Sequence, residues 1–352
     1  GTQRRPEGLM ADWINQLQHT TCPVLCVDMP SGLEANTGEW LAERAPHPSS
    51  TRHTLSLLTL KPGLFTSHGR DAAGQVWFNN LGVDVSRSQT TASLQVASQQ
   101  PTPRAHNQHK GSRGDVSVLG GAQGMQGAAI LAGMAALQGG AGRVYLGLIN
   151  PQMTLLHPAL MMRTPDQLPM VDATVVCGCG GGSDIAAWLP RALSIAPRLV
   201  LDADALNAIA NDAQLLTLLQ RRHAKRQTTA LTPHPQEAAR LLGQTVQDVQ
   251  HNRLLAAHQL VELTHAIVVL KGSGTVIAAP EHSPVINHSG NARLACAGTG
   301  DVLAGLIGAK LHGANDPFEA VCQAVHAHGH AADTWPKDGP ALNAASLAES
   351  LG

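Results

Sequence analysis

At 352 residues and a formal net charge of −1, the chain suits two domains and lacks the basic surplus of a nucleic-acid binder, while 3% aromatic content excludes a base-stacking platform. Its six cysteines are too few for a disulfide framework in this length and read as reduced thiols. The longest apolar run, Ala128–Leu137, is too short to cross a bilayer and no signal-peptide pattern opens the chain, so small-molecule partners, no membrane and a cytoplasmic address are expected.

The chain opens on Gly1 rather than Met, which reads as a fragment or a processed product. Its front piece contains "VLCVDMP" and "TLSLLTL", two apolar runs ending in turn residues and predicted to be buried strands, too few for a complete doubly wound domain. Ser86–His109 is rich in Ser, Thr, Gln and Pro, lacks an apolar period, and reads as a linker. Beyond it, "VSVLGG" (Val116–Gly121) precedes an Ala-rich helix predicted over Gly127–Gln138, and "RVYLGLI", "ATVVCG", "RLVLDAD", "TTALTP" and "AIVVLKG" follow, most of them separated by helical stretches. This βα alternation predicts an α/β fold, a largely parallel sheet covered by helices on both faces, with ligands beyond the C-terminal strand ends.

Those ends share a chemistry. Gly120 and Gly121, Gly178 to Gly182, Asp202 and Asp204, Thr232 and His234, and Lys271 and Gly272 all fall just past apolar runs. The last member is "CAGTGDVLAG", where Val302, Leu303, Leu306, Ile307 and Leu311 recur at helical spacing. Gly298, Thr299, Gly300 and Asp301 therefore sit at or just before a helix N-terminus. Capping explains an Asp or Thr there, but glycines are useful mainly where backbone N–H groups must approach an anion closely. "HAHGH" (His326–His330) lies on a predicted helix starting near Pro317; only the i, i+4 pair His326 and His330 could share a metal, and a helix-surface reading is preferred.

As an ordered set, "HKGSRGDVSVLGGAQGMQGAAILAGMAALQGGAG", "LDADALN", "LTPHPQEAARLLG", "VVLKGSGTVI" and "GNARLACAGTGDVLAG" resemble the ADP-dependent NAD(P)H-hydrate dehydratases of the ribokinase-like superfamily. "VLCVDMPSGLEANTGEW" and "LLTLKPGLFTSHGRDAAGQVWFNNLGV" resemble the C-terminal part of the NAD(P)H-hydrate epimerase domain that precedes many of them. The resemblance implies a partial Rossmann-like α/β domain at 1–85, a linker at 86–106 and a ribokinase-like dehydratase domain at 107–352. Gly1–Pro6 would be a remnant of the epimerase's glycine-rich loop.

The implied reaction is metabolite repair: ADP phosphorylates the hydroxyl of (S)-NADHX or (S)-NADPHX, phosphate leaves, and AMP, phosphate and NAD(P)H result. The resemblance implies Asp301 as general base and Gly298, Thr299 and Gly300 as the anion hole. Ala128, Gly182, His234 and Asp301 would contact the hydrate. Lys271, Gly272, Ser273, Gly274, Thr275 and Gly300 would bind ADP, with Mg2+ as its companion. For Asp202, Asp204, Asn207 and Glu237, magnesium ligation and helix capping stay open, with capping preferred for Asp204. In the front piece Asp28 would contact the hydrate and Ser31 would ligate K+ in a complete epimerase domain; without the upstream substrate loop, epimerase activity is not expected of this chain. Where relatives often carry Pro and Leu in "GPGLG", this chain has Cys179 and Gly181. A homo-oligomer is a family expectation. The competing readings are a ribokinase-like small-molecule kinase using the same Asp301, and a non-catalytic nucleotide-binding or assembly module.

Overall fold

The computed structural model describes residues 4–48, 51–84, 90–95, 110–111, 113–151 and 157–351. At the front, strands β1 (Val24–Val27), β2 (Arg52–Leu57) and β3 (Gln75–Asn79) pair in parallel in that order, beside a helix Leu9–His19 and a short helix Gly69–Ala73. The two apolar runs account for the existence of β1 and β2 but not for the expected burial: β1 has no buried residue, with Leu25 and Val27 exposed, and the second run continues past β2 into exposed Leu58 and Leu60, because nothing among the described residues covers that face. β3 is harder to foresee because only Val76, Trp77 and Phe78 separate two polar ends. Met29, Leu33, Leu64, Ala72 and Ala73 form the small core here, while Leu25, Val27, Trp77 and Phe78 remain largely exposed. Gly1–Gln3, half of the expected glycine-loop remnant, lie outside the described residues.

The remaining strands build one ten-stranded sheet: β4 (Ser93–Leu94), β5 (Asp115–Gly120), β6 (Arg143–Leu148), β7 (Met161–Arg163), β8 (Ala173–Cys177), β9 (Arg198–Leu201), β10 (Thr228–Leu231), β11 (Ile267–Leu270), β12 (Thr275–Ala278) and β13 (Val285–Asn287). The order is β4-β13-β12-β11-β10-β9-β8-β5-β6-β7. From β7 to β11 every neighbour is parallel, as the alternation predicts; β12 and β13 then return antiparallel. β4 corrects part of the linker expectation, since Ser93 and Leu94 pair in parallel with Val285 and Ile286. A two-residue edge strand needs only backbone donors and acceptors, so no apolar period marks it. Residues 86–89 and 96–109 of that expected linker lie outside the described residues.

The pleat sends alternate side chains to opposite layers. Val116 and Val118 of β5, Val176 of β8 and Val200 of β9 pack with Ala129, Ala132, Leu303, Leu306 and Val321 on one face. Leu119, Val175, Cys177, Leu199 and Leu201 pack with Leu189, Leu206 and Leu215 on the other. Each fully buried aliphatic contributes about 1.5–3 kcal/mol, and the strands read as nearly continuous apolar runs because both faces are covered. β5 has β6 on one side and β8 on the other, so the chain direction of the sheet reverses there. Such a switch opens a crevice at the C-terminal strand ends.

Candidate active site

Three adjacent parallel strands, β9, β10 and β11, end side by side and deliver Asp202, Thr232 and Lys271 to one point. The Thr232 hydroxyl donates to Asp202 Oδ1 at 2.7 Å and the Lys271 ammonium donates to the same oxygen at 2.8 Å. Asp202 is buried, with 2% of its side chain exposed. Burial works against the charge of Lys271, yet the carboxylates of Asp202 and Glu237 hold its pKa above the ordinary lysine value.

The anion-site expectation for "GTGD" meets a helix over Thr299–Lys310 whose N-cap is Gly298 at φ 92°. A side chain at Gly298 would be strained there and would run into Leu131, 2.6 Å from its Cδ1. Neither Thr nor Asp caps the helix: no side-chain cap is present, and the Thr299 hydroxyl donates backwards to Leu294 O at 2.9 Å and Cys296 O at 3.0 Å. The positive end of the helix dipole is therefore offered to an anion. A Cβ on Gly300 would lie 3.2 Å from Lys271 Nζ, which sets the ammonium beside that end.

Asp301 lies beside Asp202. Its carboxylate, that of Asp202 and the Cys179 sulfur place one atom each within 4.8 Å of one another. Burial, followed by the Asp202 charge, pushes the Asp301 carboxyl up to about 6, opposed by a hydrogen bond from the Cys179 thiol. Burial and then the Asp301 and Asp202 charges push that thiol well above its usual range, so it stays a donor. The six cysteines are all unpaired.

Ala128 and Gly182 both border the segment around Met125: a Cβ on Gly180 would crowd Ala128 Cβ at 3.0 Å, and one on Gly182 would meet Ala122 Cβ at 3.2 Å and Met125 Cε at 3.4 Å. Asp204 does not cap its helix as expected; its Oδ2 accepts the Gly182 N–H at 2.8 Å and pins the loop. Asn207 Oδ1 accepts from Arg240 at 2.7 Å. His234 is the N-cap of helix Pro235–Leu242, with Nδ1 accepting from Gln236 N–H at 3.1 Å and Glu237 N–H at 3.4 Å. Its Nε2 lies 3.2 Å from Glu237 Oε1, and Glu237 Oε2 accepts the His234 N–H at 2.7 Å. Burial raises Glu237 to about 7.

The "HAHGH" run requires a correction. His326 and His330 stack on the outer side at 5.8 Å between ring centroids, but His328 between them is buried and its Nε2–H donates to Thr299 O at 2.9 Å. Burial lowers His328 to about 4, so it stays neutral and clamps the first turn of helix Thr299–Lys310. His328→Ala is expected to destabilise the fold by about 0.5–1.5 kcal/mol for the lost hydrogen bond to the Thr299 carbonyl, and by more for the buried volume it vacates, measured by denaturant unfolding; an unchanged midpoint would remove this clamp. Asp28 and Ser31 belong to the front segment, in the turn that follows β1. Asp28 pairs with Lys61 and accepts from Leu57 N–H at 3.1 Å; burial opposes its charge, but these partners hold its pKa below the usual value. Ser31 is exposed.

The switch-point crevice, the glycine loops and a lone carboxylate at an uncapped helix define the ribokinase-like class of α/β proteins. The NAD(P)H-hydrate dehydratase family model matches residues 116–351, and a family model described as YjeF-related protein N-terminus matches residues 1–63. The chain belongs to the NAD(P)H-hydrate dehydratase family. It is 42% identical over 240 residues to the ADP-dependent (S)-NAD(P)H-hydrate dehydratase of Neisseria meningitidis, covering 65% of this chain and 80% of that protein. It is 35% identical over 351 residues to the bifunctional NAD(P)H-hydrate repair enzyme Nnr of Escherichia coli, covering 95% of this chain and 65% of the length of that relative. Among solved structures it is similar to the ADP/ATP-dependent NAD(P)H-hydrate dehydratase of Bacillus subtilis co-crystallised with ATP and Mg2+, with a TM-score of 0.61 and 31% identity over 71% of this chain and 91% of that one.

Proposed function

We propose that residues 107–352 form a domain that dehydrates (S)-NAD(P)H hydrate at the expense of ADP, releasing AMP and phosphate. The observation that carries this reading is the convergence of Asp301, an uncapped helix N-terminus and the Lys271 ammonium at the C-terminal ends of the parallel strands. Asp301 takes the proton of the C6 hydroxyl; the oxygen attacks the β-phosphorus of ADP as the bond to AMP breaks. The amides about Gly298, Thr299 and Gly300, with Lys271, hold the charge that develops on the phosphoryl oxygens. The ring nitrogen then expels phosphate and a proton leaves the neighbouring carbon, restoring the dihydronicotinamide. Ala128, Gly182 and His234 line the hydrate side, and Gly272 to Thr275 receive the adenylate. Epimerisation, and with it K+ at Ser31, stays outside this reading.

Mg2+ seeks hard oxygen donors. Among the described residues, Cys179, Asp202 and Asp301 are the one trio close enough to share an ion, but a protonated thiol and a carboxylate already on Lys271 suit this oxygen-seeking cation poorly. The residues fit an ion that arrives on the nucleotide phosphates and keeps its waters, with Glu237 the buried carboxylate to receive one. When bound, it would neutralise phosphate charge. A homo-oligomer in the cytoplasm belongs to the same reading, and among the described residues no helix is long and apolar enough to cross a membrane.

The test is the return of dihydronicotinamide absorbance from the (S)-hydrate with ADP, ATP or no nucleotide, alongside AMP and phosphate release. Recovery without nucleotide, or ATP-driven phosphorylation of an alcohol, would replace this reading. Because only ionised Asp301 accepts a proton, turnover is expected to rise with pH through about 6. Below that value the rate falls about tenfold per unit, and a flat profile would disqualify Asp301 as the base.

A further inference from the structure

The front segment holds a motif that this reaction does not use, "KPGLFTSHGRD" (Lys61–Asp71). The Lys271–Thr275 loop lies directly against it. Ser67 N–H donates to Ser273 O at 3.1 Å, and the Thr66 hydroxyl donates to the same carbonyl at 3.5 Å. Gly274 presses on this stretch so closely that a Cβ there would sit 1.9 Å from Phe65 O and 2.7 Å from Thr66 Cα. Arg253, buried inside, donates to Leu270 O at 3.0 Å and Lys271 O at 3.1 Å and fixes the root of the loop. The loop is therefore held from within by its own domain and from without by a segment about two hundred residues earlier.

That outer segment is stiff. Gly69 N–H donates to Thr66 O at 2.9 Å and His68 N–H to Gly38 O at 3.1 Å, and a Cβ on Gly69 would collide with Gly63 O at 1.7 Å. Arg70 anchors it to the large domain by donating to Gly290 O at 2.6 Å, and the adjoining turn at Gly38, on which His68 rests, is tied there too, with His251 Nδ1 3.0 Å from a Glu39 carboxylate oxygen.

We propose that Phe65–Arg70 is the outer wall of the nucleotide loop, a positioning element that pre-orders Lys271–Thr275 for ADP. A loop with glycines at positions 272 and 274 is costly to order, and a wall that orders it beforehand leaves less entropy to be lost on binding. This rests on the assignment of that loop to ADP in the proposed function.

The test compares the full chain with Gly69→Val and Ser67→Pro, which disrupt the wall without altering the loop. Three quantities are read: ADP affinity by calorimetry, amide exchange at Gly272–Thr275, and the KM for the hydrate. ADP affinity is expected to weaken on the order of tenfold, with faster exchange in the loop and a hydrate KM within about twofold of the parent. Arg70→Ala, which loosens one anchor only, covers the case in which the harsher variants misfold, and should shift ADP affinity in the same direction by less. Unchanged ADP affinity despite faster loop exchange overturns the inference, as does an equal loss of hydrate and ADP binding. Wall-dependent ADP binding without hydrate turnover would sink the dehydratase reading and leave the wall standing. Full turnover with wall-independent ADP affinity would do the reverse.

Discussion

Asp301→Asn is expected to lower turnover about a thousandfold, within the range of roughly a hundred- to ten-thousandfold for removing a general base, while ADP still binds. The amide keeps the size and polarity of the carboxylate but cannot take the hydroxyl proton. It also relieves the repulsion with Asp202 that helps to push Asp301 up to about 6, so the variant should fold normally. Calorimetric ADP binding alongside single-turnover kinetics separates the two effects. Near-parental turnover with intact ADP binding would move the base elsewhere in the crevice. Loss of both would instead give Asp301 a part in nucleotide binding.

Lys271→Met is expected to destabilise the chain by about 3–5 kcal/mol, because it strips a buried carboxylate of its cation. Asp202 has 2% of its side chain exposed and would keep only the Thr232 hydroxyl as a hydrogen-bond donor among the side chains it now engages. The double variant Lys271→Met with Asp202→Asn should regain most of the lost stability, since the charge without a partner is gone. It should not regain ADP affinity, because the ammonium beside Gly300 is still missing. Denaturant midpoints for the single and double variants, with ADP titrations, decide the matter. A single variant as stable as the parent would mean that Asp202 is neutral or reached by water.

Much of this site was legible in the chain because its parts sit where local rules operate. Gly298 to Asp301 stand out as glycine and a lone carboxylate ahead of a helical apolar period, and Asp202, Thr232 and Lys271 as polar residues ending apolar strands. What escaped is what acts across elements. His328 looks like its neighbours His326 and His330, and only the packing of helix Pro317–Asp333 against helix Thr299–Lys310 turns it inward to the Thr299 carbonyl. Asp204 carries the usual signature of a helix start, yet serves a glycine loop some twenty residues earlier. Cys179 reads in the sequence only as one of six reduced thiols, and it meets Asp301 only once β8 and helix Thr299–Lys310 are in place. β4 and β13 are short and gain their pairing from the sheet edge, a tertiary effect without a periodic signal.

The junction of Asp202, Thr232 and Lys271 also bears on how this chain can change over time. One oxygen receives groups from two other strands, so a shift in the length or pitch of β9, β10 or β11 is felt at all three ends at once. The connecting helices on the outer layer are under no such obligation and can lengthen or drift as long as they return each strand to register. Insertions and deletions are thus expected to be tolerated poorly at the strand tips and well in the segments between them.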